Sequence, residues 1–278
     1  MKRTLATTVR RSLIAILSPI ATLVVAGWVR PRITRRLRGR QMSATDTLIA
    51  VHRERLSLAR FGDGELGMML NPKLSIPFQT NSPDLAQDLR TTLAEPAENL
   101  LLCLPSTYNL KRSANPRMAA RWWTRHGSRI LQLIPESATR FGDQMVSRMW
   151  FFEEYGQDAV RLWRDIWDGR QALVVTGEGS RFELLDELFD NLQSADYLFS
   201  VAKDAYADLD RVVDEVQKRS PDLVLISLGV AGTVLAHRLA RVGVQALDIG
   251  HLSASWNYVY KDGQRPEAMP VWTGQANN

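Results

Sequence analysis

The chain has 278 residues, 45% of them hydrophobic, enough for one large or two small domains with a sizeable core. A single cysteine excludes a disulfide framework, and four scattered histidines show no zinc-type spacing. The net charge of +5 is unevenly spread: the first 40 residues hold ten basic and no acidic ones, and the remaining 25 basic against 30 acidic residues leave no basic face for nucleic acid.

Lys2, Arg3, Arg10 and Arg11 precede an apolar run over 13–29, and six arginines from Arg30 to Arg40 follow it. This run sits at the lower limit for a spanning helix. Its dense basic flank favours the cytoplasmic side and argues against a cleaved export signal. Pro19 breaks a helical hydrogen bond midway, so spanning, re-entrant and interfacial modes all stay open. Residues 1–42 are therefore predicted to be a membrane-anchoring segment built on an N-terminal apolar helix. The globular part, 43–278, is expected at the cytoplasmic face.

Ser43 is placed to cap a helix reaching about residue 53. A strand over 56–61 follows, then a loop at Asp63-Gly64-Glu65. Ser82 and Pro83 open the next helix, with proline in its first turn. The run 100–104 reads as a buried strand with Cys103 as a small core residue, which suits a reducing compartment. Residues 114–127 are predicted helical, 129–134 a short strand, and 143–167 helical again. The second half alternates more cleanly. Strands are predicted at 172–176, 197–201, 223–228 and 245–249. Helices are predicted from the Gly177-Glu178-Gly179-Ser180 loop to about 191, along 209–216, and from Gly229 to 241. Such alternation implies an α/β fold with a mainly parallel sheet covered by helices on both faces. The tail from 264 onward reads as irregular.

Arg60-Phe61-Gly62-Asp63-Gly64-Glu65 is the most informative stretch. In an extended segment Asp63 and Glu65 point to one side and can face one divalent cation. Gly62 and Gly64 let a phosphate approach the backbone. Mg²⁺ and Mn²⁺ are held in this way, by one or two carboxylates plus substrate phosphates. A tight turn with solvated acids is the ordinary alternative. Gly177-Glu178-Gly179-Ser180-Arg181 and Gly229-Val230-Ala231-Gly232-Thr233 are two further loops after strands, where ligands of open α/β sheets bind. Arg148, Arg181 and Lys203 are candidate phosphate partners, each also readable as a surface charge. Asp248 and His251 end the last strand and are candidates for general base or metal contact. There is no P-loop lysine and no G-x-G-x-x-G fingerprint.

Four blocks in this order, SLARFGDGEL (57–66), LVVTGEGSR (173–181), LVLISLGVAGTVLAHRL (223–239) and VQALDIGH (244–251), resemble the GT-D-type glycosyltransferases over roughly 43–260. The resemblance implies a Rossmann-like domain binding a nucleotide sugar, usually a UDP-sugar. It implies that Asp63 and Glu65 help hold a divalent cation, Mn²⁺ or Mg²⁺, on the diphosphate. Arg60, Gly62, Gly64, Gly177, Arg181 and Gly229 are then expected around the donor, with Glu178, Asp248 and His251 as candidates for proton transfer. The chain departs from the family at Gly229-Val230-Ala231, where members often carry a proline-containing turn. The expected acceptor is a glycan, a lipid-linked group or a protein. A non-catalytic, membrane-tethered nucleotide-sugar binder and another Rossmann-like transferase, such as a methyltransferase, are the alternatives.

Overall fold

The computed structural model describes residues 35, 37, 39–105, 126–136 and 138–269. The expected helix over 13–29, most of the one over 114–127 and the last nine residues of the tail lie outside the described residues. Among those described, no helix is long and apolar enough to cross a membrane. The chain forms two compact units, 1–39 with 106–134, and 40–105 with 135–278. In the first unit residues 126–133 are helical, where a short strand was expected over 129–134. Its short apolar run fits either period, and length does not arbitrate.

The second unit is built on a seven-stranded sheet in the order β3-β2-β1-β7-β6-β4-β5, with every pairing parallel. The strands are β1 (Ser57–Arg60), β2 (Leu100–Leu104), β3 (Gly142–Asp143), β4 (Gln171–Gly177), β5 (Ser194–Ser200), β6 (Leu223–Ser227) and β7 (Ala246–Asp248). The central strands are unbroken apolar runs because helices cover both faces. β1 closes the sheet by pairing Leu58 with Leu247 of β7, and Leu225 of β6 pairs with the same Leu247. β5 is an edge strand, and only Leu198 and Ser200 of it are buried.

The helices are α1 (Ala44–Glu54), α2 (Asp63–Leu70), α3 (Pro83–Ala94), α4 (Met149–Tyr155), α5 (Gln157–Trp167), α6 (Asp186–Phe189), α7 (Leu209–Arg219), α8 (Val230–Arg241) and α9 (Leu252–Tyr260). Ser43 accepts a hydrogen bond from the Asp46 N–H at 3.0 Å, and Ser82 from that of Leu85 at 3.1 Å, so both predicted caps form. Trp163 and Trp167 of α5 stack at 5.5 Å, and Trp167 stacks on Phe189 of α6 at 4.9 Å. Their indole N–H groups donate to the carbonyls of Val146 and Leu188 at 2.9 Å, so these large side chains enter the core with no polar atom stranded.

Four further sequence expectations change. The Asp63-Gly64-Glu65 loop is the first turn of α2. That helix is buried along Leu66–Leu70 and shows no amphipathic stripe, so no helical period marked it. The stretch 143–167 is divided by β3, a short 3₁₀ turn and a break at Gly156 with φ +55°. The helix expected after Ser180 shrinks to α6, because 178–185 runs as a loop whose Phe182, Leu184 and Leu185 pack on the core. α9, unpredicted, follows β7 directly.

Candidate active site

The connection after β4 leads outward to β5, and the one after β6 leads back to β7. Neighbouring strands whose connections diverge leave a crevice beyond their carboxyl ends, the usual ligand position in open α/β sheets. A cavity lies there. Its walls include Phe78, Glu178, Arg181, Val201, Gly229 and His251. Glu178 is exposed on the rim, its backbone fixed by an N–H to the Ser200 carbonyl at 2.9 Å.

Gly229 precedes α8 with φ +56°, and a Cβ there would lie 2.3 Å from the Phe78 ring. Phe78 itself is held by the loop before α3. Its carbonyl accepts from the Asp204 N–H at 2.9 Å, and Asp204 Oδ1 accepts from the Thr80 N–H at 2.6 Å. Glycine at 229 thus lets an aromatic side chain close one wall of the cavity. No motif announced Phe78, because its place depends on a contact between loops far apart in sequence.

Behind the cavity lies a buried ion pair. Arg60 Nη2 donates to Asp248 Oδ1 at 3.0 Å, Arg60 Nε to the Asp248 carbonyl at 2.7 Å, and Nη1 to Ser147 Oγ at 2.6 Å. The side chains are 11% and 3% exposed. Thr233 of α8 donates its hydroxyl to the Arg60 carbonyl at 2.9 Å. Gly250, at φ +47°, passes so close that a Cβ would sit 1.9 Å from Arg60 Nη2. Arg60 and Asp248 were expected at the donor and at the reacting hydroxyl. Neither lines the cavity, and each bonds the other, with Arg60 also donating to Ser147 and Asp248 accepting from Thr233, so they hold the turn that carries His251.

The Asp-x-Glu pair is also arranged differently. Asp63 is exposed at the start of α2. Glu65, two residues on, folds back so that Oε2 accepts from the Gly62 N–H at 2.8 Å, half of a capping box. Residues two apart on a helix do not share a face. Burial, and next the Asp248 charge, raises the Glu65 carboxyl above its ordinary range. Gly62 and Gly64 do not line the cavity. Lys203 is exposed and does not line it either.

Arginines dominate the field around His251. Burial, then Arg148, Arg60 and Arg181, lowers the imidazole from 6.5 to about 3. Arg148 links the two halves of the site. Burial and Arg60 work against its cation, while Glu267, Asp63 and Glu65 support it. The arrangement therefore offers cationic groups to an anion, a carboxylate at the rim, and a neutral histidine. An unfolded chain protonates this residue near 6.5 and the folded one does not, so stability should fall as pH drops from about 6.5 toward 3. NMR titration of the His251 ring should find it neutral at about pH 5, and His251→Asn should flatten the acid slope of stability. A ring already half-protonated at that pH would contradict the placement of the arginines.

The family model described as "Glycosyltransferase GT-D fold" matches residues 58–270. Glycosyltransferase GlyD of Streptococcus pneumoniae serotype 4 (strain ATCC BAA-334 / TIGR4) is 29% identical over 221 residues, covering 77% of this chain. Probable glycosyl transferase Gly of Streptococcus gordonii is 29% identical over 210 residues, covering 73%. The chain spans only 27% and 30% of the length of these two relatives. Among solved structures, one described as "The highly conserved domain of unknown function 1792 has a distinct glycosyltransferase fold" superposes with a TM-score of 0.75 at 25% identity, covering 84% of this chain and 86% of the other. Another, "A New Glycosyltransferase (DUF1792) from Streptococcus sanguinis", shares the fold with a TM-score of 0.72 at 23% identity, covering 81% and 85%.

Proposed function

This chain belongs to the glycosyltransferase family with the GT-D fold, and from that premise we propose that it transfers a hexose from a nucleotide sugar, a UDP-sugar first among candidates, to a hydroxyl acceptor. The observation that carries the reading is the cavity where the connections after β4 and β6 diverge, with Arg181, Glu178 and His251 on its walls and Arg148 beside it.

In the proposed mechanism the donor diphosphate lies between Arg181 and Arg148, near the positive ends of α2 and α8. The arginines take up the charge that develops on the departing nucleoside diphosphate. In a direct displacement, the acceptor hydroxyl attacks the anomeric carbon as its bond to the leaving oxygen breaks, and Glu178 takes the hydroxyl proton. Glu178 is favoured over the other two candidates because it is exposed on the rim. Asp248 is engaged by Arg60, and burial, then the arginines, disfavours protonation of His251. Bound diphosphate offsets the charge of Arg148 and Arg181, and His251, kept neutral by burial first of all, can hydrogen-bond it.

No group of three or more His, Cys, Asp or Glu among the described residues could hold a metal. What is present fits a cation that takes most of its ligands from diphosphate and water. Asp63 would meet Mn²⁺ or Mg²⁺ directly, with Glu65 fixing the turn or acting through water. Such a cation supplies charge neutralisation on the leaving group. The acceptor is a glycan, a lipid-linked precursor or a protein. Residues 1–42 would bring the chemistry to the cytoplasmic face of a membrane through their apolar run and basic flanks. Salt-sensitive sedimentation of the full chain with anionic vesicles checks that placement.

Thermal shift with UDP, GDP and S-adenosylmethionine, with and without Mn²⁺, tests the donor reading. UDP with Mn²⁺ should raise the melting temperature most, and UDP-hexose should release UDP on incubation. Stabilisation by S-adenosylmethionine alone would replace this reading with a methyl-transfer one.

A further inference from the structure

We propose that residues 265–269 form a strap in which Glu267 occupies the place of the donor diphosphate on Arg148, and that donor binding releases it. The inference rests on the donor reading above. Two arginines assigned there to the diphosphate are already engaged by this one segment. Arg148 Nη2 pairs with Glu267 Oε1. Arg181 Nη1 donates to the carbonyls of Pro266 and Met269, both at 2.8 Å. Pro266 is buried while Arg265, Glu267 and Ala268 are exposed, so the segment lies across the site on one inward residue.

The strap starts at a hinge. α9 ends at Tyr260, Asp262 takes φ +52°, and the Gly263 N–H returns to the Asn257 carbonyl at 3.0 Å. Arg265 then rests on Tyr258, its guanidinium 5.6 Å from the ring centre. These contacts anchor the near end; beyond them, among the described residues, 266–269 are held by the two arginines, the burial of Pro266 and the Ala268 N–H to the Arg265 carbonyl at 2.9 Å.

The chemistry of exchange favours the donor. The strap offers one carboxylate and two uncharged carbonyls. A diphosphate offers several charged oxygens and takes arginine in bidentate fashion, with stronger hydrogen bonds than carbonyls give. The Arg148–Glu267 pair is partly solvated, with side chains 22% and 48% exposed, so it is a weak competitor. In the donor-free protein it nevertheless has a purpose: Glu267 supplies counter-charge to both Arg148 and Arg181, joined at Arg148 by Asp63 and Glu65. A phosphate-bearing donor supplies that counter-charge itself and makes the strap dispensable.

Hydrogen exchange of the amides in 262–269 tests this, with UDP–Mn²⁺ and inorganic pyrophosphate as the two probes. Saturating UDP–Mn²⁺ should accelerate exchange there by about tenfold. Glu267→Gln, an exposed change of equal size, should loosen the strap in the free protein and tighten binding of both probes by about two- to fivefold. Glu267→Ala should do the same. Probe binding that leaves these amides unchanged or more protected would overturn the latch and leave the donor reading intact. Weaker binding by both variants would also overturn it, making Glu267 a donor contact. If neither the parent nor the variants bind either probe, the donor reading falls and the latch with it.

Discussion

Replacing Asp63 by Asn is expected to lower sugar transfer by about 10- to 100-fold while leaving the unfolding midpoint where it was. Asp63 is exposed at the first position of α2, so losing its charge removes little from the fold. Glu65 should behave differently, although the sequence presents the two acids as a pair. Glu65→Gln retains an acceptor for the Gly62 N–H, since glutamine also serves in a capping box, and should stay close to the parent in stability. Glu65→Ala removes that acceptor and should cost about 1 kcal/mol of stability in addition to any loss of activity. Urea unfolding beside a transfer assay separates the two effects. Full activity in Asp63→Asn would remove the cation from the proposed mechanism.

The second large effect concerns the buried pair. Arg60→Ala leaves the Asp248 carboxylate, 3% exposed, without its partner, and should destabilise the protein by about 3–5 kcal/mol. Arg60→Met with Asp248→Leu replaces both charges by apolar groups and should recover most of that stability. It should not recover transfer, because the turn at Gly250 that carries His251 is shaped around the Arg60 guanidinium. Denaturation curves for Arg60→Met, Asp248→Leu and the double variant give the coupling energy. A loss below about 1 kcal/mol in Arg60→Ala would mean that water reaches Asp248 and that the pair does not hold the turn.

Much of the fold was legible because the buried parallel strands are short apolar runs bounded by glycine or proline. Leu100–Leu104 and Leu223–Ser227 need no partner to be recognised. α2 was hidden because Gly62 and Gly64 mask its start, and burial along Leu66–Leu70 erases the amphipathic period. The loop over 181–185 looked helical because apolar side chains packing as a loop have the same composition as a helix face. In the site, Gly177, Glu178, Arg181, Gly229 and His251 were found from their places after strands, and they line one cavity. Arg60 and Asp248 were found by the same signal, yet sit one layer deeper. Strand ends do not reveal whether a charge meets solvent or another charge. Glu267 and Phe78 carried no signal, since each matters through a tertiary contact alone.

The pairing of β1 with β7 has a consequence for how the chain acquires its shape. Leu58 and Leu247 are neighbours in the middle of the sheet but lie at opposite ends of the second unit's sequence. Ring closure over so long a segment carries a high entropic cost, and sheets dominated by distant pairings fold slowly. During synthesis β1 can pair with β2 while its other edge waits, unpaired and apolar, for a strand not yet made. That open edge is where a nascent or truncated chain is most exposed to wrong partners. The Arg60–Asp248 bond spans this seam, so the contact that shapes the active-site turn forms only as the sheet closes.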